Sequence, residues 1–491
     1  MIGGGVAGLS AARALRARGV KVTVLEAAED IGGVWRDNYV GFGLQVPKQL
    51  YEFPDHPFTT VKAGDFPTGP EVQAYIKSYA AKNGLDASVV RTNTRVERLE
   101  RRDGARGWRF HVAGAGGAKE VLEFDLAVVA AGMYSSPSIP ALPGRDAFVG
   151  SVLHSRNFGA AAAAAAAGKN VVVLGSAKSA IDCAVAAATG AAPARATTLL
   201  FRNAHWGTPR KIAGLIPFQY VFLSRLGQAL VSWFKGSWPT APASVHSAHA
   251  VLAPVMGPVF KIVEALFAFQ LGQRGALAPK MDVVQDFYGY AHVLDSSFKE
   301  AVASGKVAAA HGSVACLEAG AVVARLADGS ERKIPCDVLV AGTGFEKRYD
   351  FLPAEDRAAL DVQKDGLWLF RHTLSPRVAD LAFVGSEVAT ISNVVTHSLQ
   401  GEWLARAVAG ALRLPGADEM AAIVTQHRAW ARAWMPETPS RANLVLLHQV
   451  HFHDALLRDM GVPHRRWGGV AEVFWPYEAG AYDGIVGAKL K

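Results

Sequence analysis

Cysteine is scarce: Cys183, Cys316 and Cys336 are the only three in 491 residues, far apart and in neither CxxC nor Cys/His metal spacing. That usage excludes a disulfide framework and a cysteine-built metal centre, and argues against a redox-active disulfide. It is the pattern expected of reduced thiols in a cytoplasmic protein. Long uncharged hydrophobic runs are missing too. A membrane-spanning helix needs about 20 apolar residues, and the nearest stretch, Ile212–Ser224, is broken by Pro217 and stopped by Arg225. Burial is the first reading of that stretch, and a peripheral membrane contact across 212–234 is the second. No basic segment precedes an apolar one at the start, so no signal peptide is expected. Acids are outnumbered, 43 against 51 lysines and arginines, for a net charge of +8. Such a balance suits an anionic ligand. The longest basic cluster, RLERRDGARGWR (Arg98–Arg109), is interrupted by acids and flanked by strand-like sequence. It reads as a solvated hairpin, so no nucleic-acid partner is expected.

Glycine, in contrast, is plentiful and placed. The opening MIGGGVAGLS sets Gly3, Gly5 and Gly8 in G-x-G-x-x-G spacing. Residues Ala7–Arg18 then read as a helix and Val20–Ala27 as a strand carrying Glu26, 18 residues beyond Gly8. Glycine loop, helix, strand and terminal acid together form a dinucleotide fingerprint, the acid accepting from a ribose. Glu26 would repel a 2′-phosphate, so this site should hold FAD or NAD. Only Met1 and Ile2 precede the loop, whereas a central parallel strand needs about five residues. The expectation is a chain whose start falls late and whose flavin loading suffers for it.

A second unit begins at Lys169. The apolar strand Val171–Leu174 runs into Gly175-Ser176-Ala177-Lys178-Ser179-Ala180 and a small-residue helix. Ala177 stands where the middle glycine would be, which still permits a phosphate at a slightly wider approach. The next strand, Ala196–Asn203, carries Arg202 near its end, a residue suited to the 2′-phosphate of NADP. Two further stretches echo each other, Phe124–Gly132 and Cys336–Gly344. Each is an apolar strand with a small-residue exit: Ala131 and Gly132 in one, Thr343 and Gly344 in the other. They bracket the second unit. The expected architecture is α/β with two Rossmann-like dinucleotide-binding domains, the NADP domain (166–330) inserted into a discontinuous FAD domain (1–165 and 331–491). Gly159–Gly168 reads as an alanine-rich linker, and the tail beyond about Pro415 as a helical extension.

The segment between the loops is more specific. FVGSVLHSRNF (Phe148–Phe158) reads F-x-G-x-x-x-H-x-x-x-F and resembles the signature of the class B flavin-dependent monooxygenases. It is the form of the flavin-containing monooxygenase branch; the Baeyer–Villiger branch carries Trp at the position of Phe158. IGGVW (Ile31–Trp35) and VAGTGF (Val340–Phe345) resemble two further family motifs. LQVPKQLYEFPDHPF (Leu44–Phe58), the KSAxD run (Lys178–Asp182) and RNAHW (Arg202–Trp206) are similar to the plant-type branch.

The resemblance implies a two-stage cycle. NADPH reduces FAD, O2 adds to form a C4a-hydroperoxyflavin, and a small-molecule amine or thioether takes the distal oxygen. Such chemistry needs no catalytic triad, metal or paired carboxylates, and none is evident in the sequence. It implies FAD contacts at Gly3, Gly5, Gly8, Glu26, Gly33, Trp35, Val96, Ala131, Gly132, Thr343 and Gly344. NADP contacts are implied at Gly175, Lys178, Ser179, Ala180 and Arg202. Gln45 and Asn393 are the candidate polar groups beside flavin and NADP, and His154 is read as a structural link between domains. The competing readings are a Baeyer–Villiger monooxygenase, an NADPH oxidase or reductase, and a nucleotide-binding relative without turnover. Oligomeric state has no signature in the sequence.

Overall fold

The computed structural model describes residues 1–232, 239, 243–290 and 292–486; residues 233 and 234 of the segment 212–234 lie outside them. The first sheet is parallel and runs Val90–Arg91, Val24–Leu25, Ile2, Ala127–Val129, Leu381–Phe383. Ile2 is its centre. Ile2 N donates to Val128 O at 2.8 Å and Gly3 N to Leu25 O at 2.9 Å. Leu25 N donates to Met1 O and Ala130 N to Ile2 O, both at 2.8 Å. Two residues thus bond to both neighbours, where about five were expected of this strand.

The helix Val6–Arg16 covers this sheet, and the helix Asn393–Val408 packs along it. Close approach is enforced by glycine. A Cβ on Gly401 would stand 2.8 Å from Ala11 Cα, and one on Gly385 would meet Ala7 Cβ at 2.5 Å and His397 Cε1 at 2.9 Å. Residue 397 therefore lies level with 7, and 401 with 11: the two helices run in the same direction. Both N-termini point to the carboxyl ends of the parallel strands, where open α/β sheets bind ligands. Glu402, fully buried, ties the pair through its ion pair with Arg18, and Arg406 one turn along its own helix holds the same carboxylate.

The second sheet has seven strands in the order Glu331–Pro335, Ala321–Leu326, Val307–Glu318, Ala196–Phe201, Asn170–Leu174, Val338–Ala341, Ser151–His154. Neighbours from Val307 to Ser151 are parallel, and the other two pairings antiparallel. The sheet therefore reaches beyond the expected 166–330 on both sides. The cause is pairing: Val338–Ala341 is apolar and wholly buried and adds to Val171–Leu174, with Ser151–His154 beyond it. The two echoing stretches consequently serve different sheets, Ala127–Val129 the first and Val338–Ala341 the second.

A third, antiparallel sheet (Arg95–Arg101, Trp108–Ala113, Lys119–Phe124) contains the basic cluster. Its cations are paired: Arg101 with Asp356 at 2.6 Å, Arg102 with Asp125 at 3.0 Å, Arg106 with Asp380 at 2.6 Å and Arg109 with Asp103 at 2.8 Å. The alanine tract forms a short helix, Ala160–Ala165. In the tail, the helix Gln449–Asp459 packs against Asn393–Val408.

Candidate functional site

From Ile2 the chain turns into the Val6–Arg16 helix through Gly3, at φ +108°. A Cβ on Gly3 would stand 2.6 Å from Ala130 O, and one on Gly8 2.0 Å from Gly3 O, so the turn admits only glycine. The helix has Gly5 as N-cap, no capping side chain and no acid in its first turn. Its leading N–H groups, at the positive end of the helix dipole, have no side-chain acceptor among the described residues. IGGVW lies against this loop: Gly32 N donates to Gly4 O at 3.0 Å, and a Cβ on Gly33 would be 3.3 Å from Gly5 Cα. Glu26 accepts from Gly4 N at 2.6 Å and Ala28 N at 2.8 Å, which fixes its carboxylate at the loop. Trp35 is buried, donates to Tyr51 OH at 2.9 Å and stacks on Phe42 with centroids 5.4 Å apart. Ala131 and Gly132 leave the strand Ala127–Val129 beside Gly3. Val96 sits on the third sheet and packs, with Ile2, into the cluster holding Leu25 and Val129.

The second loop repeats the logic. Gly175 has φ +115°; its Cβ would be 2.4 Å from Gly342 O, and one on Gly342 would be 2.5 Å from Ala180 Cβ. Ala177 is the N-cap of Lys178–Thr189, a helix with no capping side chain and no acid in its first turn. Ser179 is half-buried in that turn and Ala180 fully buried. Lys178 is paired with Asp182, which also accepts from Tyr39 OH at 2.9 Å, so this charge is neutralised within the protein. Arg202 is exposed just past the strand Ala196–Phe201, and no ion pair among the described residues uses it. RNAHW is anchored by the buried Asp286, which accepts from Trp206 N at 2.6 Å and contacts His205 Nδ1 at 2.9 Å. Tyr290 stacks on His205 at 3.7 Å.

His154 joins the two halves. Its Nδ1 accepts from Arg156 N at 3.1 Å. The proton is therefore on Nε2, which donates to Gly344 O at 2.8 Å. Burial holds its pKa below the usual histidine value. Both nitrogens are spent on backbone, which leaves the ring no proton-transfer role. Thr343 Oγ1 donates to Ser138 O at 2.5 Å beside it.

Gln45 accepts from Val293 N at 3.0 Å, bridging the first loop region to the segment that follows Tyr290. Asn393 opens the helix Asn393–Val408, and its orientation is dictated by a chain of buried hydrogen bonds. Thr390 N–H donates to Asn393 Oδ1 at 3.0 Å and Thr390 Oγ1 donates to the same oxygen at 3.3 Å. Thr390 Oγ1 must then accept from Thr396 Oγ1 at 2.8 Å. Thr396 in turn accepts from His453 Nε2 at 2.7 Å, and His453 Nδ1 accepts from Tyr482 OH at 2.7 Å. His453 is neutral, its pKa driven down to about 3 by burial, so its single proton carries on the direction that the Thr390 N–H sets. The chain ends by turning the Asn393 NH2 away from Thr390.

Comparison with known proteins follows this geometry. Residues 1–238 match the family described as flavin-binding monooxygenase-like. The chain is 28% identical over 528 residues to "Probable flavin-containing monooxygenase 1" of Arabidopsis thaliana, covering 100% of this chain and 96% of that protein. It is 24% identical over 460 residues to flavin-containing monooxygenase 3 of Homo sapiens, covering 88% and 78%. The first 238 residues thus match the flavin-binding monooxygenase-like family, and proteins named as flavin-containing monooxygenases align with the chain beyond them. Two solved structures share the fold. One is S-allyl-L-cysteine S-oxygenase from Allium sativum, at TM-score 0.60 and 20% identity over 94% of this chain and 88% of that one. The other is cyclohexanone monooxygenase from Rhodococcus sp. Phi1, at 0.64 and 18% over 93% and 96%.

The chain takes FAD and NADP as cofactors, and its residues fit them. Beyond the glycine loop, Ser392 Oγ, Gln449 Nε2 and both ring nitrogens of His397 are buried with no hydrogen-bond partner among the described residues. They border the N-terminus of Asn393–Val408, level with the first loop, as a polar cofactor requires. Asp286, Gly342 and the His453–Tyr482 chain escaped the sequence reading. Gly342 is visible as part of VAGTGF, but nothing local to Asp286 or Tyr482 signals a contact with partners 80 or 29 residues away.

Proposed function

We propose that this monooxygenase uses NADPH and O2 to oxygenate a soft nucleophile, an amine nitrogen or a thioether sulfur, as a plant-type member of its family. The observation that carries the reading is the pair of uncapped, acid-free helix N-termini, each entered through a glycine that no other residue can replace, linked by His154. FAD, when bound and reduced by NADPH, supplies the oxygen-activating chemistry. Everything else falls to the protein. The N–H groups behind Gly3, Gly5 and Gly8 hold the FAD pyrophosphate, and Glu26 the ribose. Gly175, Ser179 and Arg202 hold NADP, with Arg202 meeting the 2′-phosphate. The Trp35, Tyr51 and Phe42 wall excludes water from the reacting side, and Asn393 presents its NH2 to the flavin.

The thioether reading is supported by the likeness in fold to a protein named as an S-oxygenase. Cyclohexanone monooxygenase shares the fold equally well, and Phe158 in place of Trp argues against its chemistry here. The test is direct. Purified protein should be yellow and should bleach anaerobically with NADPH. In air it should convert methyl phenyl sulfide or N,N-dimethylaniline with close to one product per NADPH. A lactone from cyclohexanone, or hydrogen peroxide as the sole product, defeats the reading.

A further inference from the structure

The helix Ala243–Leu271 shows two apolar faces along its stretch from Val251 to Leu271. One, with Met256, Phe267 and Leu271 buried and Phe260 and Val263 half-buried, packs on the core. The other turns outward: Val251 is 75% exposed, Val255 61%, Ile262 70% and Phe269 65%. Its stretch Pro254–Leu271 has a mean hydropathy of 1.3 yet only 17% of it is buried. An amphipathic helix of a water-soluble surface would carry polar residues on that face. The apolar surface continues onto the hairpin Lys211–Pro217, where Leu215 is 80% and Ile216 50% exposed. Gln270 fixes the hairpin to the helix, donating to Lys211 O at 3.0 Å and accepting from Ala213 N at 3.1 Å.

Charge decides what covers this face. Between residues 210 and 281 the sequence has Arg210, Lys211, Arg225, Lys235, Lys261, Arg274 and Lys280 but a single acid, Glu264. Arg274 and Lys299 flank the ring of Phe269, at 5.8 and 5.6 Å from its centroid. Lys211, Arg274 and Lys280 are exposed, and none enters the ion pairs formed by Arg210, Arg225 and Lys261 nearby. A second copy docked by twofold symmetry would set this cationic rim against itself, at a cost in repulsion. A bilayer with anionic headgroups attracts the rim and accepts the apolar face.

We propose that the outer face formed by Val251, Val255, Ile262 and Phe269, with the Leu215–Ile216 hairpin tip, lies on an anionic lipid surface. This places the contact on the long helix, beyond the segment 212–234 expected from the sequence. The surface lies outside the cofactor loops, so the binding is independent of turnover.

The test uses the full-length, flavin-loaded protein and sedimentation with vesicles of phosphatidylcholine alone or with 30 mol% phosphatidylglycerol. The expected result is binding to the anionic vesicles that weakens with added salt. Arg274→Glu with Lys280→Glu should lower partitioning about 25-fold or more, since each cation near such a surface is worth about five-fold. Ile262→Glu and, separately, Leu215→Ser should each lower it while leaving flavin content and NADPH oxidation unchanged, the substituted side chains being exposed. Equal partitioning of wild type and these variants overturns the proposal. So does a salt-stable dimer in solution that Ile262→Glu dissociates, because the face is then covered by a second copy.

Discussion

Replacing Asn393 by Asp separates what this residue does for the fold from the flavin contact proposed for it. The carboxylate keeps the Oδ1 that accepts from Thr390 N and Thr390 Oγ1 at 3.0 and 3.3 Å. It sits at the first residue of a 16-residue helix whose first turn contains no acid. A negative charge there interacts favourably with the dipole, by about 0.3–1 kcal/mol. Thermal stability should therefore hold or rise. The other half of the side chain changes from a two-proton donor to an anion. A hydrogen bond to a charged or polarised acceptor contributes about 1.5–3 kcal/mol, so losing it lowers the rate of NADPH-driven flavin reduction by about ten- to 150-fold. Anaerobic stopped-flow absorbance reads that rate, and a thermal melt reads stability. Tyr482→Phe is the companion: it leaves His453 Nδ1 buried without a donor, costing about 1–3 kcal/mol of stability, while slowing reduction only a few-fold. Asn393→Asp that reduces at the wild-type rate with wild-type FAD affinity refutes the placement of this amide against the flavin.

Further expectations follow from the same geometry. Gly8→Ala puts a Cβ 2.0 Å from Gly3 O, so the loop must open by about 1 Å. At least a ten-fold weaker FAD affinity is expected from one charge-assisted bond lost, seen as a lower ratio of flavin to protein absorbance; full flavin loading would contradict it. Arg202→Gln should raise KM for NADPH about ten-fold or more and leave KM for NADH unchanged, and an equal effect on both cofactors would dismiss its role at the 2′-phosphate. Acid should unfold the protein early. His372 and His453 are pushed down to about 3, and His292, His397 and His427 to about 4, each chiefly by burial. Their unfolded pKa is about 6.5, so below it the unfolded state binds more protons, and each costs about 1.4 kcal/mol of stability per pH unit. The five together should bring the acid midpoint, followed by circular dichroism, to between pH 5 and 6; a midpoint below pH 4 would show that these rings are hydrated.

Sequence legibility tracked the range of the forces involved. Gly3, Gly8 and Gly175 could be placed because each answers to a local turn: positive φ at Gly3 and Gly175, and the carbonyl of Gly3 against Gly8. Arg202 and Glu26 could be proposed because a strand end is predictable from its apolar run. The central strand could not, because two residues have no period to read. Its bonds come from Leu25, Val128 and Ala130, supplied by chain far away. The reach of the second sheet was hidden for a related reason. Phe124–Gly132 and Cys336–Gly344 are nearly the same pattern, and only pairing partners distinguish them: Leu381–Phe383 for one, Val171–Leu174 for the other. The chain from Tyr482 to Asn393 is more remote still, since each link is an ordinary buried polar residue. Only the backbone N–H of Thr390 gives the series a direction. A candidate list drawn from motifs therefore names the groups proposed to meet a cofactor, while the groups that aim them lie where packing alone can assemble them.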